Sequence, residues 1–205
     1  MLYSSLAALL TFIPLSLAAA NAQAAPTLSK PAPDFTAPAV DGKTVKLSDY
    51  KGKIVVLEWN NPGCPFVHKH YDSGNMQEMQ SYAKSKGVIW LTINSSAPGR
   101  EGHMDTSLAK DYISKDKVTS AHYILDPQGK IGRLYGAKTT PHMFVVDTKG
   151  NIAYMGAVDN KPTPDPKSVA DADNYVKDAI DDLLAGKSIA VASTQSYGCS
   201  VKYGD

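Results

Sequence analysis

The residue with the most chemistry to offer in this 205-residue chain is Cys64, within Trp59-Asn60-Asn61-Pro62-Gly63-Cys64-Pro65-Phe66-Val67. The apolar run Ile54-Val55-Val56-Leu57 precedes it and a segment with helical spacing follows, so Cys64 falls at a strand-to-helix turn. Pro65 suits the first helical position, where its fixed φ fits and its missing N–H leaves no bond unmade. That puts Cys64 at the helix N-cap, where free backbone N–H groups and the positive end of the helix dipole favour a thiolate. The thiolate is the form of cysteine that attacks. Read instead as a small buried hydrophobe, which free cysteines often are, Cys64 would not need the Pro62-Gly63 turn before it and the proline after it.

Two further groups bear on that sulfur. Cys199, in Tyr197-Gly198-Cys199-Ser200, is the only other cysteine; two cysteines are too few for a disulfide-scaffold domain, so the core must be hydrophobic. His68 lies four residues after Cys64, on the same helical face, and could share an ion such as copper or zinc with it, with His70, His103 or His142 adding a ligand. A histidine on the protein surface is the plainer explanation of His68.

These groups need a scaffold. Ile54 to Trp59 shows no apolar–polar alternation, as in a strand buried on both faces. Pro65 to Lys86 predicts a helix interrupted at Ser73-Gly74-Asn75, with Asn75 and Glu78 capping its second half. Val88 to Ile93 is the next buried strand. A loop rich in Ser, Pro and Gly, from Asn94 to Gly102, follows its carboxyl end, the edge where open α/β sheets bind ligands. A helix over His103 to Ser114, a strand at Tyr123 to Leu125, a short helix over Lys130 to Tyr135, and a hairpin of His142 to Asp147 with Asn151 to Gly156 come next. Ser168 and Asp171 form a capping box for a last helix ending before Gly186. Upstream, Lys30 to Pro38 reads as an extended surface lead-in and Val40 to Val45 as a hairpin around Asp41-Gly42. This order predicts an α/β fold with a mixed sheet and helices on both faces.

The first 24 residues read as a secretory signal: the apolar run Leu6 to Ala20 ends in Ala22-Gln23-Ala24, with no charged residue and no stop-transfer pattern. Cleavage after Ala24 predicts a periplasmic or secreted protein with no membrane association afterwards. Residues 25–187 would form one domain and 188–205 a C-terminal tail carrying Cys199. With 21 basic and 20 acidic residues, and Arg100 and Arg133 the only arginines, electrostatic binding to nucleic acid is not expected.

From Pro31 to Gly186 the chain resembles the thioredoxin-fold redoxins, the peroxiredoxin-like and cytochrome-maturation branches in particular. The likeness rests on Ala32-Pro33-Asp34-Phe35 with Asp41-Gly42-Lys43 and Leu47-Ser48-Asp49-Tyr50-Lys51-Gly52-Lys53, on Cys64-Pro65-Phe66-Val67 in the place of the family's Cys-x-x-Cys, and on Thr140-Pro141 before a strand. The resemblance implies a three-layer thioredoxin-like fold, a cis Pro141 beside Cys64, and a groove offering backbone atoms to a bound peptide or disulfide. Departures from the family are equally informative. Val67 replaces the second cysteine, which rules out a local dithiol mechanism. Leu57 and Asn61 stand where the peroxiredoxin pattern has a proline and a Thr or Ser, and that family's arginine has no counterpart.

The leading expectation is therefore an exported thiol-based redox protein, a thiol-disulfide oxidoreductase or peroxiredoxin-like antioxidant. Cys64 is its nucleophile, Cys199 its resolving thiol, and Trp59, Asn61, Thr140 and Pro141 its substrate-binding residues. No cofactor is expected; the partners are a protein disulfide or thiol, or a peroxide, together with a reductant. Two alternatives stand beside it: a copper- or zinc-binding, chaperone-like protein using Cys64 and His68, and a non-catalytic module stapled by Cys64 and Cys199. In the chain-entropy model such a staple is worth about 5 kcal/mol.

Overall fold

The computed structural model describes residues 25–205; the expected signal segment, residues 1–24, lies outside them. Strands β1 (Thr36–Pro38) and β2 (Thr44–Lys46) pair antiparallel around Asp41-Gly42, so part of the expected lead-in is a strand. Then follow β3 (Val55–Trp59), α1 (Pro65–Asp72), α2 (Asn75–Ser85), β4 (Ile89–Asn94), α3 (Thr106–Lys115), β5 (His122–Leu125) and α4 (Lys130–Tyr135). The chain continues through β6 (Thr139–Thr140), β7 (His142–Val146), β8 (Ile152–Gly156), α5 (Tyr175–Leu184) and β9 (Cys199–Ser200).

The central sheet has the order β5-β4-β3-β7-β8. β3, β4 and β5 run parallel, β7 runs antiparallel to β3, and β8 turns back antiparallel to β7. Both of its faces are covered, which explains the unbroken apolar runs read in the sequence. Val55, Leu57 and Trp59 of β3 pack with Ile131 and Tyr135 of α4 on one side. Val56 joins Val67 and Tyr71 of α1, Met76 and Met79 of α2, and Val176 and Ile180 of α5 on the other. Burying each such Val, Ile or Met contributes roughly 1.5–3 kcal/mol, before the entropy of ordering it is subtracted. Among the described residues no helix is long and apolar enough to cross a membrane.

Two predicted caps fall elsewhere. Gly74, at φ 80, is the N-cap of α2, and Asn75 sits inside the helix with its amide 2.8 Å from His70 Nδ1. A left-handed residue was needed to reverse the chain, and glycine adopts that φ without strain. The last helix starts not at Ser168 but at Tyr175, capped by Asn174, because Pro166–Asp171 forms a separate 3-10 turn.

Candidate active site

Cys64 sits where the sequence put it. Asn61 Oδ1 accepts from the Gly63 N–H at 2.8 Å, its Nδ2 donates to Glu101 O at 3.4 Å, and the Cys64 N–H donates to Asn61 O at 3.0 Å. An Asx turn thus leads from β3 into α1. Cys64 is the N-cap with extended backbone (φ −85°, ψ 121°) and Pro65 begins the helix. Its carbonyl accepts from the Val67 and His68 N–H groups at 2.9 and 3.0 Å.

The Cys64 thiol makes its contacts across the sheet. Sγ donates to Thr140 O at 3.0 Å and lies 2.7 Å from Cys199 Sγ, with both cysteines unbridged. The Thr140–Pro141 bond is cis. β9 pairs antiparallel with β6, placing Cys199 opposite Thr140 and Ser200 opposite Thr139. Beyond the last helix, residues 188–205 are therefore built into the body. Thr194 N donates to Met155 O, Val201 N to Lys138 O, and Ala97 N to Lys202 O. Nothing periodic in the sequence announces this segment, because its order comes from partners far along the chain.

Cys64 is wholly buried and Cys199 partly exposed. Burial, then the hydrogen bond and charge of Cys64, push the Cys199 thiol up to about 12. Cys199 accordingly holds its proton at neutral pH.

Trp59 is corrected from a substrate-binding residue to a core residue. It is fully buried against Tyr135 and Phe144, and its indole N–H donates to Ser95 Oγ at 3.1 Å, so it has no surface to offer a substrate. Asn61 shapes the turn. Thr140 and Pro141 lie buried beside the sulfurs, with the Thr140 carbonyl directly on Cys64. His68 is exposed and faces Asp72 at 3.6 Å. His70 sits by Asn75, His103 bonds Ser96 O at 3.0 Å, and His142 stacks on Phe144 at 4.6 Å. Among the described residues no three His, Cys, Asp or Glu side chains gather as a metal cluster.

Two buried polar groups near the turn escaped the sequence reading. Glu58, fully buried on β3, accepts from Trp90 Nε1, Tyr71 OH, Asn60 Nδ2, Gln80 Nε2 and Thr92 Oγ1 at 2.8–3.2 Å. Burial raises its carboxyl above the usual range despite these donors. A charged residue inside the apolar run Ile54 to Trp59 was the available signal. Lys69 and Asp159, also buried, pair at 2.9 Å and meet Tyr197 from the C-terminal segment. No local spacing links those three.

The chain has recognisable relatives. The thiol-disulfide oxidoreductase ResA of Bacillus thuringiensis subsp. konkukian is 26% identical over 125 residues, covering 61% of this chain and 66% of that protein. ResA of Bacillus subtilis is 24% identical over 121 residues, 59% of this chain and 62% of its own length. The chain thus spans a little under two thirds of these relatives. Among solved structures, an uncharacterized conserved protein of Geobacillus kaustophilus aligns with TM-score 0.74 and 25% identity over 87% of this chain and 93% of its own. A putative thiol:disulfide interchange protein DsbE of Chlorobium tepidum aligns with TM-score 0.52 and 29% identity over 64% of this chain and 85% of its own. The Redoxin family pattern matches residues 27–176, most of the chain and all of the central sheet, and with the thioredoxin-like fold around Cys64 it establishes that the chain belongs to the Redoxin family.

Proposed function

We propose that this protein is an exported thiol-disulfide oxidoreductase that uses Cys64 and Cys199 as its redox pair. The observation that carries the reading is the meeting of the only two cysteines, 2.7 Å apart, at the N-terminus of α1 beside the Thr140 carbonyl. In the first step the Cys64 thiolate attacks one sulfur of a substrate disulfide, forming a mixed disulfide and releasing one substrate thiolate. Cys199 then loses its proton and attacks Cys64 Sγ, which forms the intramolecular disulfide and releases the second thiolate. The substrate gains two electrons and the protein loses them; an external dithiol resets the pair. Val67 cannot supply the second sulfur, so the remote cysteine takes that part.

A protein disulfide fits this site better than a peroxide. Peroxide reduction needs donors aimed at the oxygens where charge develops. The Asn61 amide is committed within its turn, Arg100 pairs with Asp205, and Arg133 donates to Gly204 O. Export is supported by the apolar leader Leu6 to Ala20 and its small-residue end.

Mild oxidation of the purified protein should join Cys64 to Cys199 within one chain, and dithiothreitol should reverse it. Cys199→Ser should instead accumulate Cys64 as a mixed disulfide with the offered substrate, visible by mass. Two titratable thiols surviving oxidation would end the reading; a bridge that dithiothreitol cannot open would leave a stapled, non-catalytic module.

A further inference from the structure

Beneath the redox pair lies a charge cluster that the two-cysteine chemistry does not use directly. Lys69 Nζ is fully buried one turn beyond the start of α1, and it donates to both Asp159 oxygens at 2.9 and 3.1 Å, to Lys161 O at 2.6 Å and to Tyr197 OH at 3.1 Å. Tyr197 OH also donates to Asp159 and lies 3.4 Å from His70 Nε2. Three parts of the chain meet here: α1, the loop after β8, and the C-terminal segment. Taking two charges out of water is costly, and a packed apolar pair of similar volume often serves stability as well or better. A buried ion pair at this place is better explained by what it fixes.

What it fixes is the strand that carries Cys199. Tyr197 is two residues before that cysteine, its ring set against Phe66 with centroids 5.8 Å apart. The linking residue, Gly198, has φ 129°, and a Cβ there would collide with the Thr140 carbonyl, so the chain between hydroxyl and sulfur has no slack. Among the described residues, no hydrogen bond from Gln195 or Ser196 ties the approach to the body; the Tyr197 hydroxyl supplies those between Thr194 and Cys199. Without that anchor the segment after α5 behaves more like a flexible tether, whose effective concentrations are of millimolar order.

We propose that Tyr197, held by Asp159 and Lys69, is the positioning residue of the resolving step: it sets how often Cys199 Sγ stands on Cys64 Sγ, and so sets the equilibrium and rate of disulfide closure. This rests on the oxidoreductase reading above. The step it governs is attack of the Cys199 thiolate on a Cys64 mixed disulfide, which joins the two protein sulfurs and expels the outer thiolate, with the Cys199 proton passing to solvent.

The test loads Cys64 of the full chain with thionitrobenzoate from Ellman's reagent and follows release of the thiolate. Equilibration with reduced and oxidised glutathione gives the closure constant separately. Tyr197→Phe keeps the ring and removes only the hydroxyl. We expect release at least tenfold slower and a closure constant at least tenfold lower, which raises the midpoint potential by about 30 mV. In a Cys199→Ser background the same change should not slow the bimolecular reaction of Cys64 with the reagent. Asp159→Asn, a second way to loosen the anchor, should act in the same direction. A closure constant and release rate within twofold of wild type in Tyr197→Phe, with the Cys64–Cys199 bridge still forming, overturns the positioning role. Equal slowing of the bimolecular step also overturns it, because the effect is then general. A wild type that forms no intramolecular bridge defeats the oxidoreductase reading instead.

Discussion

Cys64 and Cys199 reach one another from opposite kinds of structure. The Cys64 turn is built mainly from local bonds: a strand ends, Asn61 closes an Asx turn on Gly63, the Cys64 N–H donates to the Asn61 carbonyl, and Pro65 starts a helix, with the Asn61 amide reaching Glu101 O as a long-range addition. The Cys199 strand is remote: it has two residues in β9, and its partners are Thr139, Thr140, Lys138, Lys69 and Asp159. One sulfur is thus placed by short-range bonds and the other by the finished fold. A pair built this way can be opened from one side only, because the strand can lift without unmaking the helix. Cys64 is fully buried and packs with Cys199 of that strand, so under the proposed function a protein substrate reaches its sulfur only when the strand lifts.

The comparison breaks most severely at Asp159. Asp159→Ala leaves the buried Lys69 ammonium without its carboxylate, and removing one partner of a buried pair costs about 3–5 kcal/mol. Urea denaturation of the reduced protein should show a loss in that range. A loss below about 1 kcal/mol means that the remote half is held by something other than the cluster.

Acid tests both halves together. Burial holds His70, in the anchor of the remote strand, and His142, beside Pro141, down to about 4. The unfolded chain takes up a proton on each near pH 6.5, whereas the folded chain waits until about pH 4. Their contribution to stability is therefore complete above pH 6.5 and is lost as the pH falls from 6.5 to 4, roughly 3 kcal/mol per histidine. His142→Gln should flatten about half of that fall, read as unfolding free energy at pH 7.5 and 4.5. An unchanged slope would mean that His142 titrates normally in the folded state.

Gly198→Ala sharpens the contrast, because it acts on one half alone. At φ 129° a side chain is strained, and its Cβ meets the Thr140 carbonyl, so β9 should leave β6. Closure of the bridge should fall by about a hundredfold, equivalent to about 2.8 kcal/mol, while alkylation of Cys64 speeds up as its cover departs. Slower alkylation would show that Gly198 serves the Cys64 turn as well.

How much of this was legible in the sequence follows the same division. Buried runs without alternation marked β3 and β4, Gly and Pro marked their ends, and Pro62-Gly63-Cys64-Pro65 placed Cys64 at the helix start, since all of these signals act within a few residues. Trp59 was misjudged because the sequence shows an aromatic next to the turn but not the Tyr135 and Phe144 rings that enclose it. The order of residues 188–205, and the joining of Lys69, Asp159 and Tyr197, depend on contacts between distant segments. No periodicity encodes them. Even the cap of α2 turned on a backbone φ that only glycine carries easily, which a capping-box pattern cannot report.

The smallest expected effect is at the local half, and it decides whether the turn is as self-contained as its bonds imply. Asn61→Ala removes the Oδ1 that accepts from Gly63 N–H and the amide bond to Glu101 O, while the Cys64 N–H still donates to the Asn61 carbonyl. One neutral hydrogen bond in a partly buried turn is worth about 1 kcal/mol, and the 3.4 Å contact adds little. Pro65 still fixes the first helical φ, so Cys64 should stay at the N-cap. The unfolding free energy should drop by about 1 kcal/mol, and the closure constant against glutathione should change by less than threefold. A tenfold change in closure would show that the position of Cys64 depends on the Asn61 side chain reaching the Glu101 loop, and the division between a locally built and a remotely built sulfur would no longer hold.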